Sequence, residues 1–137
     1  MYIELHVPNF QIAKDFYQKL GFNVVWEKTP QNEPRKWYLV MQQQNNILGF
    51  WPGNEEVWNQ SYFKQYSKET KRGYAVEIVI PVDDIDLLYE NAKSFAKIVG
   101  ELKTKHWGLK DFRIEDPFGF YIRFTEPHDI LKKGEVS

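Results

Sequence analysis

The sequence contains no cysteine. Disulfides, thiolate metal sites and a cysteine nucleophile are therefore excluded. No apolar run is long enough to span a bilayer, and the N-terminus carries no signal-peptide pattern. A soluble cytoplasmic protein is the expectation. An excess of charge of either sign is missing too: 18 Lys+Arg stand against 19 Asp+Glu, for a net charge of −1. No electrostatic footprint for nucleic acid follows from such a balance. Histidine is scarce, and His6, His106 and His128 are too scattered to make a metal cluster. No phosphate-binding glycine loop, G-x-S-x-G elbow or EF-hand loop occurs.

What is present is length, aromatic side chains and alternation. A chain of 137 residues suits one compact domain or two small fused modules, and can bury a real core. Aromatics make up 17% of it, including five Trp. Some of these belong to the core. The others point to a pocket or an interface, where Trp and Tyr supply large contact area at low entropic cost.

The clearest pattern is Trp107–Glu126, WGLKDFRIEDPFGFYIRFTE. Phe112 and Ile114 alternate with Asp111, Arg113 and Glu115. Asp116-Pro117-Phe118-Gly119 then turns the chain, and Phe120, Ile122 and Phe124 alternate with Tyr121, Arg123 and Thr125. Period two means two strands with one apolar face and one polar face. Earlier in the chain, Ile3, Leu5 and Val7 alternate with Tyr2, Glu4 and His6. Asn9 caps a helix carrying Phe10, Ala13, Phe16, Tyr17 and Leu20, and Gly21 ends it. Strands are predicted over 22–28, 37–42 and 47–51. Residues 54–72, with Trp58, Tyr62, Phe63 and Tyr66 at helical spacing, read as a helical linker. The order then repeats: a strand over 73–82, an Asp84-capped helix through Phe95, a strand over 98–105, and the final pair. Modules of 1–53 and 73–126 follow, with a polar tail over 127–137. The offset of the repeat suits a duplicated module rather than a solenoid.

Leu5-His6-Val7-Pro8-Asn9-Phe10 running into Phe16-Tyr17-Gln18-Lys19-Leu20-Gly21-Phe22, then Val82-Asp83-Asp84-Ile85, then Asp116-Pro117-Phe118-Gly119 before Ile122-Arg123-Phe124, resemble the vicinal oxygen chelate superfamily of glyoxalase I, bleomycin resistance proteins and extradiol dioxygenases. Trp107-Gly108-Leu109-Lys110-Asp111-Phe112 followed by Asp116-Pro117 is most similar to the bleomycin resistance branch. The resemblance covers nearly the whole chain. It implies an α+β fold in which two tandem β-α-β-β-β modules form one cupped mixed sheet, with helices outside and the polar strand faces inside.

Metal-dependent members of that superfamily hold a divalent ion with four converging side chains. The matching positions here are Tyr2, Gly49, Glu77 and Arg123. Only Glu77 is an ordinary ligand; Gly49 has no side chain, and Arg123 brings a permanent cation. The resemblance therefore implies no metal, no cofactor and no catalytic residue. Glu77 and Arg123 are expected to pair. The pair either neutralises two charges or recognises a polar group on a ligand through the fork of Arg123. His6 beside Glu4 invites an acid–base reading, but no nucleophile accompanies them. By strand parity Trp37, Leu39, Met41, Trp51 and Tyr121 face the cup, with Trp107 at its rim. They either stack on a flat ligand, or fill the cup themselves or cover a dimer interface. Trp26, Trp58, Tyr62, Phe63 and Tyr66 are assigned to core and linker packing. Lys103, Lys105 and Lys110 form a basic cluster near Trp107, read as a solvated rim.

The leading expectation is a non-catalytic binder of a planar, apolar or aromatic small molecule, resembling the drug-sequestering bleomycin resistance proteins. Its ligand-binding residues are Tyr2, His6, Trp37, Met41, Trp51, Glu77, Trp107, Tyr121 and Arg123. A homodimer is implied by the resemblance alone. Two rivals stand beside it: a metal-dependent glyoxalase- or dioxygenase-type enzyme, and a structural or regulatory module with a filled cup.

Overall fold

The computed structural model describes residues 1–52 and 59–132. The chain divides into two compact units, Met1–Lys71 and Arg72–Ser137. The same order of elements recurs in each.

In the first unit the order is β1 (Ile3–Val7), α1 (Phe10–Gln18), β2 (Asn23–Lys28), β3 (Tyr38–Gln43) and β4 (Asn46–Pro52). The sheet runs β1-β4-β3-β2. β1 and β4 are parallel, and the other neighbours are antiparallel. Asn9 caps α1 by accepting from Ile12 N at 2.9 Å. Phe10, Ala13, Phe16 and Tyr17 of α1 are buried, together with Leu5, Val7, Leu39, Met41, Leu48 and Phe50 of the sheet. Tyr17 ties the layers together, its ring centroid 5.4 Å from Phe50 and 5.7 Å from Phe22.

In the second unit the order is β5 (Glu77–Pro81), α2 (Ile85–Ala92), β6 (Lys97–Thr104), β7 (Lys110–Glu115) and β8 (Tyr121–Thr125). The sheet runs β5-β8-β7-β6, again with its one parallel pair between the first and last strands of the unit. Asp84 caps α2 through Leu87 N. Ile78, Ile80, Phe112, Ile114, Ile122 and Phe124 form the buried face. Phe112 stacks on Phe124 at 5.1 Å and meets Tyr89 of α2 edge-on at 5.1 Å. The turn at 116–119 forms as its residues dictate. Asp116 Oδ1 accepts from Phe118 N at 2.9 Å and Phe120 N at 2.8 Å, and Gly119 adopts φ +96°.

Three expectations change. The helical linker is not continuous: among the described residues of 59–72 there are turns and one short 3-10 turn, Phe63–Gln65. Residues 54–58, with Trp58, lie outside the described residues. The strand expected from 73 begins at Glu77, because Gly73 (φ +77°) and Ala75 (φ +64°) leave the extended region. The parity of β3 is reversed. Leu39 pairs with Phe50 and Met41 with Leu48, so both lie on the buried side, and Tyr38 and Val40 take the open side. Trp37-Tyr38-Leu39-Val40-Met41 is apolar in both parities, so alternation alone did not decide. On the open face the Tyr38 hydroxyl is satisfied by Glu4, whereas in the core it would need a buried partner.

Candidate functional site

On the open face of the first sheet, Glu4 lies opposite Gly49 and His6 opposite Trp51. Tyr38 reaches across Gly49 and donates its hydroxyl to Glu4 Oε2 at 2.8 Å. Glycine at 49 makes this crossing feasible, since a Cβ there would stand 3.0 Å from Tyr38 Cζ and closer still to its oxygen. The other carboxylate oxygen of Glu4 lies 3.1 Å from His6 Nε2. The His6 ring is flanked by Trp51 at 5.3 Å and Phe63 at 5.6 Å. Trp51 donates its indole N–H to Arg35 O at 3.1 Å. Trp26, expected in the core, instead stacks on Tyr38 at 5.6 Å and remains 48% exposed. The result is two aromatic groups, Trp26–Tyr38 and Trp51–His6–Phe63, joined through the carboxylate of Glu4.

Burial, then the hydrogen bonds with Glu4 and Tyr2, push the Tyr38 phenol well above the ordinary tyrosine range. The fold holds the neutral phenol. Its contribution to stability is complete below about pH 10 and falls as pH rises further, because the unfolded chain then gives up a proton that the folded chain keeps. Tyrosinate absorbance should rise identically in the natural chain and in Tyr38→Phe through the interval around pH 10. Loss of one tyrosine step from that interval in the variant would contradict the arrangement.

The open face of the second sheet is charged. Arg113 donates from Nε to Glu77 Oε1 at 2.8 Å and from Nη1 to Asp111 Oδ1 at 3.2 Å. Burial alone would lower the Arg113 pKa, but the Glu77 hydrogen bond and the charges of Asp111 and Glu77 outweigh it and raise it. Gly100 on β6 leaves room for the Arg113 stem, 3.3 Å from where a Cβ would sit. Lys105 approaches Asp111 Oδ1 at 3.6 Å. The expected Glu77–Arg123 pair is present but long, at 3.9 Å, and Arg123 Nη1 lies 4.0 Å from Asp111 Oδ2. Glu77 is thus held chiefly by Arg113. Tyr121 is the register neighbour of both Glu77 and Glu115.

Of the residues singled out in the sequence, Tyr2, His6 and Trp51 share the first open face, and Glu77, Tyr121 and Arg123 share the second. Met41 and Trp37 are on neither. Met41 is fully buried. Trp37 donates its indole N–H to Pro30 O at 2.8 Å and packs against Phe10 of α1. Trp107 lines a separate open hollow of about 320 Å³ with Leu109, Pro127 and His128. The residues that sequence reasoning missed are Tyr38, Trp26, Arg113 and Asp111. For Tyr38 no local signal was available, since the opposition of Glu4 and Gly49 appears only in the strand register. For Asp111 and Arg113 the available signal was the run of alternating charges on β7.

The residues present do not suit a bound divalent ion. Tyr38 covers Gly49, and Glu77 is engaged by Arg113 and faced by Arg123. Among the described residues, no three His, Asp or Glu side chains converge as a ligand set. Among them, too, no helix is long and apolar enough to cross a membrane.

The profile of the glyoxalase/bleomycin resistance protein/dioxygenase superfamily matches residues 2–124, and the chain belongs to that superfamily. Its fold is shared with hypothetical protein SA1046 from S. aureus, at 22% identity and TM-score 0.70, covering 93% of this chain and 92% of that one. TioX from Micromonospora sp. ML1 aligns at 18% identity and TM-score 0.67, covering 96% and 98%. A bleomycin-binding protein solved in complex with bleomycin aligns at 18% identity and TM-score 0.62, covering 93% and 98%. Among curated proteins none matches the sequence significantly.

Proposed function

We propose that this chain is a non-catalytic small-molecule binding protein that takes a planar, partly apolar compound against the aromatic face of its first sheet. The observation that carries this reading is the surface made by Trp26, Tyr38, Trp51, His6 and Phe63 around Glu4. Flat rings in offset or edge contact favour a flat partner, each good contact contributing about 0.5–1.5 kcal/mol beyond area burial. A structural relative that holds bleomycin supports the same class of role. A homodimer acting in the cytoplasm, without cofactor, goes with this reading.

The test is a tryptophan fluorescence titration with a bleomycin-type glycopeptide, other planar antibiotics and aromatic acids, with and without zinc, nickel, manganese or iron. Saturable quenching by an organic compound without metal is the expected result. Trp51→Ala and Trp26→Ala should each weaken that binding about tenfold, the scale of one lost stacking contact. A response that requires added metal would replace this reading with that of a metal-dependent enzyme.

A further inference from the structure

Glu4 is a carboxylate that no lysine or arginine answers. One of its oxygens accepts from the Tyr38 hydroxyl at 2.8 Å, and the other lies 3.1 Å from His6 Nε2. Among the described residues no lysine or arginine forms an ion pair with it. By contrast Glu27, Glu33, Glu77 and Glu115 each pair with a lysine or an arginine. Lys28, which the register sets beside Tyr38 on β2, stands three strands from Glu4. That is about 14 Å at the ordinary strand spacing, beyond a Debye length of about 8 Å. A hydroxyl and an uncharged imidazole fix the carboxylate in place without cancelling its charge.

The rings around Glu4 carry the same preference. The Trp26–Tyr38 group adjoins one of its oxygens and the Trp51–His6–Phe63 group the other. The face of an indole or phenol ring is negative, so it attracts a cation and repels an anion. Ligand access is open: the Glu4 side chain is 39% exposed and Trp26 is 48% exposed. Every residue named here belongs to the first unit. The form of the cation follows from the hydrogen bonds already made. A compact ammonium is strongly hydrated and asks for directional bonds from oxygens that each already have a partner. A charge spread over a flat ring is weakly hydrated and asks for none, and its face meets the tryptophan rings.

We infer that the open face of the first sheet selects a planar aromatic cation, with Glu4 as the residue that reads the charge. The inference rests on the proposed small-molecule reading and narrows its ligand class.

The experiment compares flat bicyclic compounds of one size and different charge: N-methylquinolinium, quinoline and naphthoate. Calorimetric titration in slightly alkaline buffer, where imidazole and quinoline are both uncharged, gives their affinities. The indole N–H resonances of Trp26 and Trp51, assigned from Trp26→Phe and Trp51→Phe, locate the binding. N-methylquinolinium should bind about tenfold more tightly than quinoline, and naphthoate more weakly than either. The cation should also shift one or both indole resonances saturably. In Glu4→Gln the amide carbonyl can still accept from Tyr38, but the charge is gone. Its affinity for the cation should fall about tenfold, while that for quinoline changes far less. If Glu4 served only to position Tyr38, both affinities would fall together, and the inference is overturned. Equal or tighter binding of quinoline or naphthoate by the natural chain also overturns it, and leaves the planar-ligand reading standing. Cation binding that moves neither indole overturns it as well. So does binding of none of the compounds, and the small-molecule reading is then judged by the antibiotic titration described above.

Discussion

Phe112→Ala is expected to lower the free energy of unfolding by about 3–5 kcal/mol, the largest effect of any single truncation considered. The ring is fully buried. It stacks on Phe124 at 5.1 Å and is met edge-on by Tyr89 at 5.1 Å, so it joins two strands to α2. Truncation removes the transfer free energy of the ring and both aromatic contacts, and leaves a cavity that a two-layer core closes only partly. Its neighbour in sequence makes collapse harder. Asp111 is pinned by Arg113 and Lys105 on the opposite face of the same strand, so β7 cannot tilt inward without disturbing those bonds. Urea denaturation followed by circular dichroism reads the loss directly. Phe112→Leu should recover more than half of it. A midpoint for Phe112→Ala within experimental scatter of the natural chain would show that the second unit is not organised around this ring.

Gly73→Ala should cost about 2–4 kcal/mol, far more than a glycine-to-alanine change at an ordinary turn. Two penalties combine. Position 73 has φ +77°, where a side chain is disfavoured by about 1–2 kcal/mol. The new methyl would also stand 2.9 Å from the Cα of Phe120 and 3.2 Å from the carbonyl of Gly119. Those atoms belong to the end of the turn that Asp116 fixes by two backbone hydrogen bonds, so they yield poorly. Gly108→Ala is the matched control. Its φ is +89°, yet nothing lies within 4 Å of the added carbon. It should show the conformational penalty alone, about 1–2 kcal/mol. Equal losses at the two positions would rule out the close approach at residue 73.

How much of this was legible in the sequence differs by residue, for physical reasons. Alternation along 110–125, the Asn9 and Asp84 caps and the Asp116–Gly119 turn each have one dominant local cause, and each appears in the structure as read. The orientation of β3 was not legible, because both faces of Trp37–Met41 are apolar. The Tyr38 hydroxyl reaches Glu4 of β1 across Gly49 of the intervening strand β4, a contact over 34 positions of sequence that no local pattern encodes. Gly73 was read as the start of a strand because composition does not reveal φ. In the second sheet the expected partner of Glu77 was Arg123, and the structure gives Arg113 the short bond. The two arginines lie opposite one another on adjacent strands of one sheet face, and although Arg123 is on the strand next to β5, the side-chain conformations give Arg113 the short bond.

Each sheet draws all four of its strands from one half of the chain. This bears on how the protein is made. The first sheet's ladders are complete once residue 52 is available, since β4 ends there and supplies the partner of β1. As the chain emerges from the ribosome N-terminus first, that sheet can close before β5 has been synthesised, and the second can then close by the same order of events. The slow event in each half is the same: the parallel pairing of first and last strands, which needs the longest loop of its half to close.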